Sequence, residues 1–324
     1  MTSPPYAPAP ADVQRVLLLS HTGLISGAER ALLDLVCHLP PTVQAMVLAP
    51  EGPLSTLLRE RGIRSLEVQG TAASLRLHPT QTPKGVMELV SSAVELRTAA
   101  FRTRSHVVHA NSLRAGIIAV IARAIGGPRV ITHIHDALPH DHVAHAVAAL
   151  LARGSSALIA VSQFARARFL EAAGGDYPVT VLPNPVDLDR FTGPSRDRPA
   201  LRRELRLPPT APVIGVIGQI TPWKGQHTAI AALATLRASA PDARLLIVGE
   251  TKFVSPSTRY DNLRYERELR ALISHFGLED AVEFWGERED IPSILCALDA
   301  LLVPSDGEPL GRSVLEAMAS GTPV

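Results

Sequence analysis

Short apolar runs rich in Val, Ile and Leu alternate along the chain with longer stretches whose apolar positions recur every three or four residues. The short runs read as strands at 16–20, 45–48, 65–68, 107–110, 129–134, 157–161 and 179–182. Amphipathic helices fill the gaps at 27–39, 53–61, 85–101, 113–125, 142–152 and 162–173. This alternation predicts a parallel sheet with helices on both faces, because each crossover lays a helix back against the sheet. Arg and Pro become frequent from Asp189 to Pro212, where the first series ends. A second series follows, with strands at 213–217, 245–248, 282–285 and 300–303 and helices at 225–238, 259–276, 290–297 and 312–319. The expected architecture is α/β: a flexible tail over 1–12, then domains at 13–190 and 191–324. Each domain reads as a Rossmann-like, doubly wound parallel sheet, and the two face a cleft.

Composition narrows the class. At 324 residues the chain exceeds one typical domain and can bury two cores. Its 46% hydrophobic and 19% charged residues suit a globular protein and argue against disorder. A net charge of +1 argues against a nucleic-acid partner, which would call for a strong basic excess. Cys37 and Cys296, far apart and in apolar helical contexts, read as buried free thiols of a reducing compartment. The start, MTSPPYAPAPAD, lacks the basic-then-apolar order of a signal peptide. The apolar stretches 115–125 and 143–161 are broken by Arg123 and Arg153-Gly154, short of the roughly 18 clean residues a spanning helix needs. A cytoplasmic protein is expected, with peripheral contact at the inner face of a membrane left open.

The densest chemical signal lies near the end. The strand at 300–303 leads through the loop Asp306-Gly307-Glu308-Pro309 into a helix starting near Arg312. A strand–loop–helix at the C-terminal edge of a parallel sheet aims backbone N–H groups at a ligand, which suits a phosphate or diphosphate. Glu308 on the loop and Glu316 in the helix flank that position and can accept hydrogen bonds from hydroxyls. A second such turn, Gly218-Gln219-Ile220-Thr221-Pro222-Trp223-Lys224-Gly225, offers a Lys charge and helix-end amides after the strand at 213–217. Its Lys-Gly order is not that of a P-loop. Near the start, Ser26-Gly27-Ala28-Glu29 opens a helix, and Gly27 lets the backbone approach a ligand closely. His133, His135, His140, His142 and His145 cluster without the downstream acids a metallohydrolase needs, so no metal is expected. No Gly-x-Ser-x-Gly elbow and no Gly-x-Gly occur, which counts against a nucleophilic hydrolase and a dinucleotide oxidoreductase.

Residues 303–323 resemble the donor-site signature of the retaining, nucleotide-sugar-dependent glycosyltransferases of family 4, whose fold is called GT-B. Glu308-Pro309-Leu310-Gly311 matches their E-P-x-G, and Glu316-Ala317-Met318-Ala319-Ser320-Gly321 matches E-A-M-A-x-G. Gly218–Gly225 is similar to their G-R-x-x-x-x-K-G, with Gln219 in place of Arg. Gly27-Ala28-Glu29 resembles G-G-x-E with Ser26 for the first Gly, and Asn184-Pro185-Val186-Asp187 resembles N-G-V-D with Pro185 for Gly. His135-Asp136 fits the family's strand-end His-Asp, and His109 and Asn111 would line the same cleft.

The resemblance implies sugar transfer from a nucleotide-diphosphate sugar to a hydroxyl of a carbohydrate, lipid-linked or small-molecule acceptor, with no cofactor beyond the donor. Catalytic roles fall to Glu308 and His135. Donor binding falls to Gly27, Gln219, Lys224, Gly311, Arg312, Ser313 and Glu316. Gln219 removes a positive charge from the diphosphate site, for which Arg312 offers partial compensation. The first domain would take the acceptor, with Gly70–Gly85, carrying His78 and Lys84, as a wall of that site. Another GT-B enzyme, a phosphorylase or a sugar-nucleotide epimerase, and an inactive GT-B-like interaction module remain alternatives. The family's chains continue past the position of Val324, so the sequence reads as a C-terminally truncated fragment.

Overall fold

The computed structural model describes residues 13–71, 81–193, 197–254 and 258–324, with the backbone alone for 81–84. Contacts divide the chain into two compact units, Met1–Asn184 and Pro185–Val324. The first unit runs β1 (Gln14–Leu19), α1 (Gly27–Cys37), β2 (Val43–Ala49), α2 (Pro53–Glu60), β3 (Ser65–Glu67) and α3 (Gln81–Thr103). It continues through β4 (Val107–Ala110), α4 (Leu113–Ala124), β5 (Arg129–Ile134), α5 (His142–Gly154), β6 (Ala157–Ala160), α6 (Gln163–Ala173) and β7 (Val179–Val181). All seven strands pair in parallel in the order β3-β2-β1-β4-β5-β6-β7. The order reverses between β1 and β4, so the loops after these strands part and leave room for side chains at the sheet's C-terminal edge.

Leu17, Leu18, Leu32, Leu48, Leu54 and Leu58 are buried in the core that joins this sheet to its helices. α4 is apolar on nearly every face because it packs against β5 between α3 and α5. At Gly116 a Cβ would stand 2.8 Å from the Thr132 side chain, so glycine sets the helix–sheet distance there.

The second unit adds α7 (Leu188–Thr192), α8 (Arg198–Glu204), β8 (Val213–Ile217), α9 (Gln226–Leu236), β9 (Arg244–Val248) and α10 (Asn262–Phe276). β10 (Val282–Gly286), α11 (Ile291–Ala297), β11 (Ala300–Leu301) and α12 (Arg312–Ser320) complete it. Its parallel sheet has the order β10-β9-β8-β11. Alternate residues serve opposite faces: Leu245 and Ile247 pack with α9 and α10, whereas Leu246 and Val248 pack with α7, α8, α11 and α12. Leu301 N donates to the carbonyl of Pro323 (2.8 Å), on the outer side of β11.

Two sequence expectations change. The Arg- and Pro-rich stretch around 189–212 contributes packed structure: Phe191 and Leu201 join the second unit's core, and the contact division falls at Asn184–Pro185. Arg202 explains the local arginines. It is buried and donates to the carbonyls of Ala297, Pro208, Pro209 and Ala211 and to Asp299 Oδ2 (2.6 Å). Arg198 pairs with the other oxygen of Asp299, and Val213 N donates to Oδ2. Cys37 is exposed, not buried, because burial along α1 stops at Leu33; Cys296 is partly exposed. No helix among the described residues is long and apolar enough to cross a membrane.

Candidate functional site

In the second unit the two glycine-containing turns meet. Gly225, at φ 71°, begins α9, and a Cβ there would lie 2.1 Å from the Pro304 carbonyl oxygen. Only glycine permits that approach, which draws the turn after β8 against the loop before α12. Asp306 N donates to the Trp223 carbonyl (2.7 Å) and fastens the same contact. Lys224 Nζ then reaches Glu308 Oε2 at 2.6 Å and lies 4.3 Å from the centroid of the Trp223 ring. α12 starts after Gly311 (φ 76°), and the first amide to bond back within it is Val314 N, to the Gly311 carbonyl (2.9 Å). The amide of Ser313 lies ahead of that bond, at the positive end of the helix. Arg312 Nε stands 3.6 Å from Glu316 Oε1, one turn along.

Gln219 is held by its neighbours. Its Nε2 donates to the Lys252 carbonyl (3.2 Å), and its own carbonyl accepts from Gln226 Nε2 (2.8 Å). Asn262 Nδ2 donates to the same Lys252 carbonyl (2.8 Å). The side chain at 219 thus ties the loop after β9 to the turn after β8. At Gly249 (φ 135°) a Cβ would meet the Gly218 carbonyl at 2.1 Å, so those loops also touch through backbone.

In the first unit, the ends of β1, β4 and β5 carry imidazoles, hydroxyls and an amide together with Glu29, Arg114 and Asp136. Glu29, one turn into α1, is buried and accepts from Ser26 N (3.1 Å), Ser26 Oγ (2.5 Å) and Ser20 Oγ (3.4 Å). Burial pushes its carboxyl above the usual range, against the Ser26 contacts, which favour the ionised form. Gly27 lies beside this network as the first helical residue, and Asn111 Nδ2 donates to the Ala28 carbonyl (2.9 Å). Arg114 Nη1 lies 3.2 Å from His21 Nε2. A guanidinium only donates, so the His21 proton sits on Nδ1, facing Ser112 Oγ at 2.9 Å.

His109, His133 and His135 form a run of rings, with centroids 5.3 Å apart for the first pair and 4.1 Å for the second. Among the described residues, neither nitrogen of His133 has a hydrogen-bonding partner. Burial lowers its pKa to about 2, helped by the other two imidazoles, and burial lowers that of His109 to about 4. His135 Nδ1 faces Asn184 Nδ2 at 3.4 Å; with Asn184 as donor, the His135 proton sits on Nε2.

The predicted residues therefore fall into local groups. Lys224 and Glu308 touch, as do Arg312 and Glu316, next to Gly311 and Ser313; Gln219 bonds away toward Lys252. His135 and Gly27 lie in the first unit. Of the suggested acceptor wall, residues 72–80 and the side chains of 81–84 lie outside the described residues. No cluster among the described residues has three or more His, Cys, Asp or Glu arranged for a metal ion. His140 instead contacts Arg168 and Glu171, and His145 Nδ1 bonds the Ala172 carbonyl (2.7 Å). Sequence reading named Glu29 only within its G-G-x-E resemblance and did not single out His21, Arg114 or Lys252. For His21 and Arg114 the available signal was position, since both follow closely on strand ends where a doubly wound sheet collects its ligand groups.

The architecture defines a GT-B-type chain of two Rossmann-like α/β units. The family model described as Glycosyltransferase Family 4 matches residues 25–190, and the one described as Glycosyl transferases group 1 matches residues 197–324. The chain belongs to glycosyltransferase family 4. It is 30% identical over 229 residues to a 2-deoxystreptamine glucosyltransferase of Streptomyces kanamyceticus, covering 66% of this chain and 55% of that protein. It is 31% identical over 223 residues to a GDP-mannose-dependent alpha-(1-6)-phosphatidylinositol monomannoside mannosyltransferase of Mycobacterium tuberculosis, covering 64% and 54%. The chain spans about half the length of the curated relatives it matches. Among solved structures, Anabaena Alr3699/HepE in complex with UDP-glucose matches with a TM-score of 0.79 at 28% identity, covering 96% of this chain and 79% of that one.

Proposed function

We propose that this chain carries the donor and acceptor units of a retaining glycosyltransferase that moves a hexose from a nucleoside diphosphate sugar to a hydroxyl. The observation that carries the proposal is the Lys224–Glu308 contact at 2.6 Å, made where the start of α9 and the loop leading to α12 are drawn together at Gly225. A cation and two helix ends suit a diphosphate, and the carboxylate beside them suits the hydroxyls of the attached sugar. As the glycosidic bond breaks, negative charge grows on the leaving diphosphate. Lys224 and the amide of Ser313 stabilise it without a metal ion. Glu308 exchanges its bond to Lys224 for sugar hydroxyls, Glu316 holds the nucleotide ribose, and His135 contacts the sugar through Nε2–H. Gly27 lets the α1 end approach the donor closely, and Gln219 borders the diphosphate. Membership of the family and the solved relative bound to UDP-glucose support this reading.

The test is a screen of UDP- and GDP-hexoses with hydroxyl acceptors, followed by the variant Glu308→Ala. Turnover should fall by about two orders of magnitude or more while nucleotide binding survives, because the residue meets the sugar and not the base. Product of retained anomeric configuration, formed equally with a chelator present, is expected by NMR. Near-normal turnover of Glu308→Ala would remove the role assigned to it. Failure to bind any nucleotide sugar would favour an interaction module.

A further inference from the structure

Gly218–Gly225, the turn after β8, brings one lysine to the diphosphate position, and Gln219 adds no charge. The loop after β9 carries a second lysine in the same setting. Lys224 has 16% of its side chain exposed and pairs with Glu308 of the loop after β11. Lys252 has 17% exposed, and its Nζ lies 2.8 Å from Oε1 of Glu287, the residue that follows β10. Each lysine is therefore largely covered and rests on a carboxylate from beyond another strand of the same sheet. The partners differ: the Glu287 side chain is 41% exposed, about twice the 21% of Glu308. An ion pair with a solvated partner contributes little, so Lys252 can leave Glu287 at small cost.

The backbone under Lys252 is fixed against the turn after β8. Gly249 leaves no room for a Cβ beside the Gly218 carbonyl, and Ile220 N donates to the Glu250 carbonyl (3.0 Å). Gln219 Nε2 and Asn262 Nδ2 both donate to the carbonyl of Lys252 itself, and Asn262 Nδ2 lies 3.4 Å from the Phe253 carbonyl. Asn262 is buried, and Phe253 is held at φ 55°, a left-handed value that a residue with a Cβ seldom adopts. Such a backbone persists only where its surroundings over-determine it. The loop is thereby set, and what remains adjustable is the flexible stem of the lysine. Position 219 thus acts through its neighbour: in place of a charge of its own, the glutamine anchors the residue that carries one.

We propose that Lys252 is a second cation for the donor diphosphate, exchanging Glu287 for phosphate oxygens when the donor enters, with Gln219 as the positioning residue for its loop. A leaving diphosphate gains negative charge, and two lysines offset more of it than one. This role rests on the donor site assigned above, and calorimetric titration of the full chain separates the two. Binding of UDP or GDP to the parent tests the donor site; if neither binds, both fall. Where one binds, Lys252→Gln should weaken it about tenfold, and weaken the corresponding nucleoside monophosphate by no more than about twofold. Lys252→Arg should keep most of the affinity. Glu287→Gln should tighten diphosphate binding by about two- to threefold, because the lysine no longer has a carboxylate to leave. A lysine that merely braces the loop through its ion pair predicts the opposite sign, so weaker binding by Glu287→Gln overturns the proposal. So does parent-like affinity of Lys252→Gln, or an equal loss on diphosphate and monophosphate, since the side chain would then meet the nucleoside end. Should Lys252→Gln melt early, the sign of the Glu287→Gln effect decides.

Discussion

At the strand ends of the first unit, imidazoles, an amide and hydroxyls predominate around the ionisable groups Glu29, Arg114 and Asp136. Imidazoles stack on one another, Asn184 faces His135, and the Glu29 carboxyl is wrapped by two serines. The second unit builds its counterpart from ion pairs, Lys224 with Glu308 and Arg312 with Glu316, at the mouths of two helices. The contrast follows what each surface can recognise. Charge focused on a helix end suits an anion, whereas neutral donors and acceptors suit hydroxyls without attracting a counter-ion. The same kind of sheet can carry either chemistry, because the loops after the strands, not the strands, supply the groups.

The strongest way to break this contrast is to separate the two loops of the second unit. Gly225→Ala puts a methyl against the Pro304 carbonyl at a φ of 71°. It should cost at least about 2 kcal/mol of stability in denaturant unfolding and disrupt the Lys224–Glu308 contact. Melting like the parent would mean that the loops are not held in register by that glycine.

Acid should sharpen the contrast next. His109 and His133 are held below the ordinary 6.5, so the first unit loses stability from them as pH falls from about 6.5 toward 4 and 2 respectively. Glu29 works oppositely, because a raised carboxyl is relieved as pH falls through its folded value. In the second unit burial raises Asp299, but Val213 N–H and Arg198 and Arg202 outweigh it and hold the group low. Its contribution is intact above about pH 4 and is lost only below. Ring resonances of selectively labelled histidines separate these effects. Those of His109 and His133 should stay in the neutral form at pH 5, and titration of either near 6.5 would contradict their burial as neutral rings.

The smallest expected effect concerns position 219. Gln219→Arg adds a charge beside the diphosphate position and gives up the bond to the Lys252 carbonyl. Nucleoside diphosphate binding, read by calorimetry, should tighten by about 1 kcal/mol, the scale of one charge-assisted hydrogen bond. Unchanged or weaker binding would show that the tie to the loop after β9 matters more than the charge.

Much of this molecule could be read from neighbouring residues. The switch between strand and helix periodicity located every strand among the described residues, with β11 ending two residues short of its expected span. The start of α12 at Arg312 followed from Pro309 and the apolar spacing after it. α7 and α8 were missed because five and seven residues are too few to show a period. Exposure of Cys37 was missed because an apolar stretch does not say where a helix leaves its core.

Local periodicity and turn chemistry are properties of a short window, so the sequence by itself determined the α/β alternation and the loops that bear Lys224, Glu308 and Glu316. The tertiary structure alone decided which of these groups meet. Lys224 and Glu308 are 84 positions apart, and their 2.6 Å contact depends on β8 lying beside β11. It likewise decided that Gln219 turns to Lys252, and that His133 lies between two other rings. Parallel pairing joins segments that are never neighbours in the chain, and burial is set by everything packed around a group.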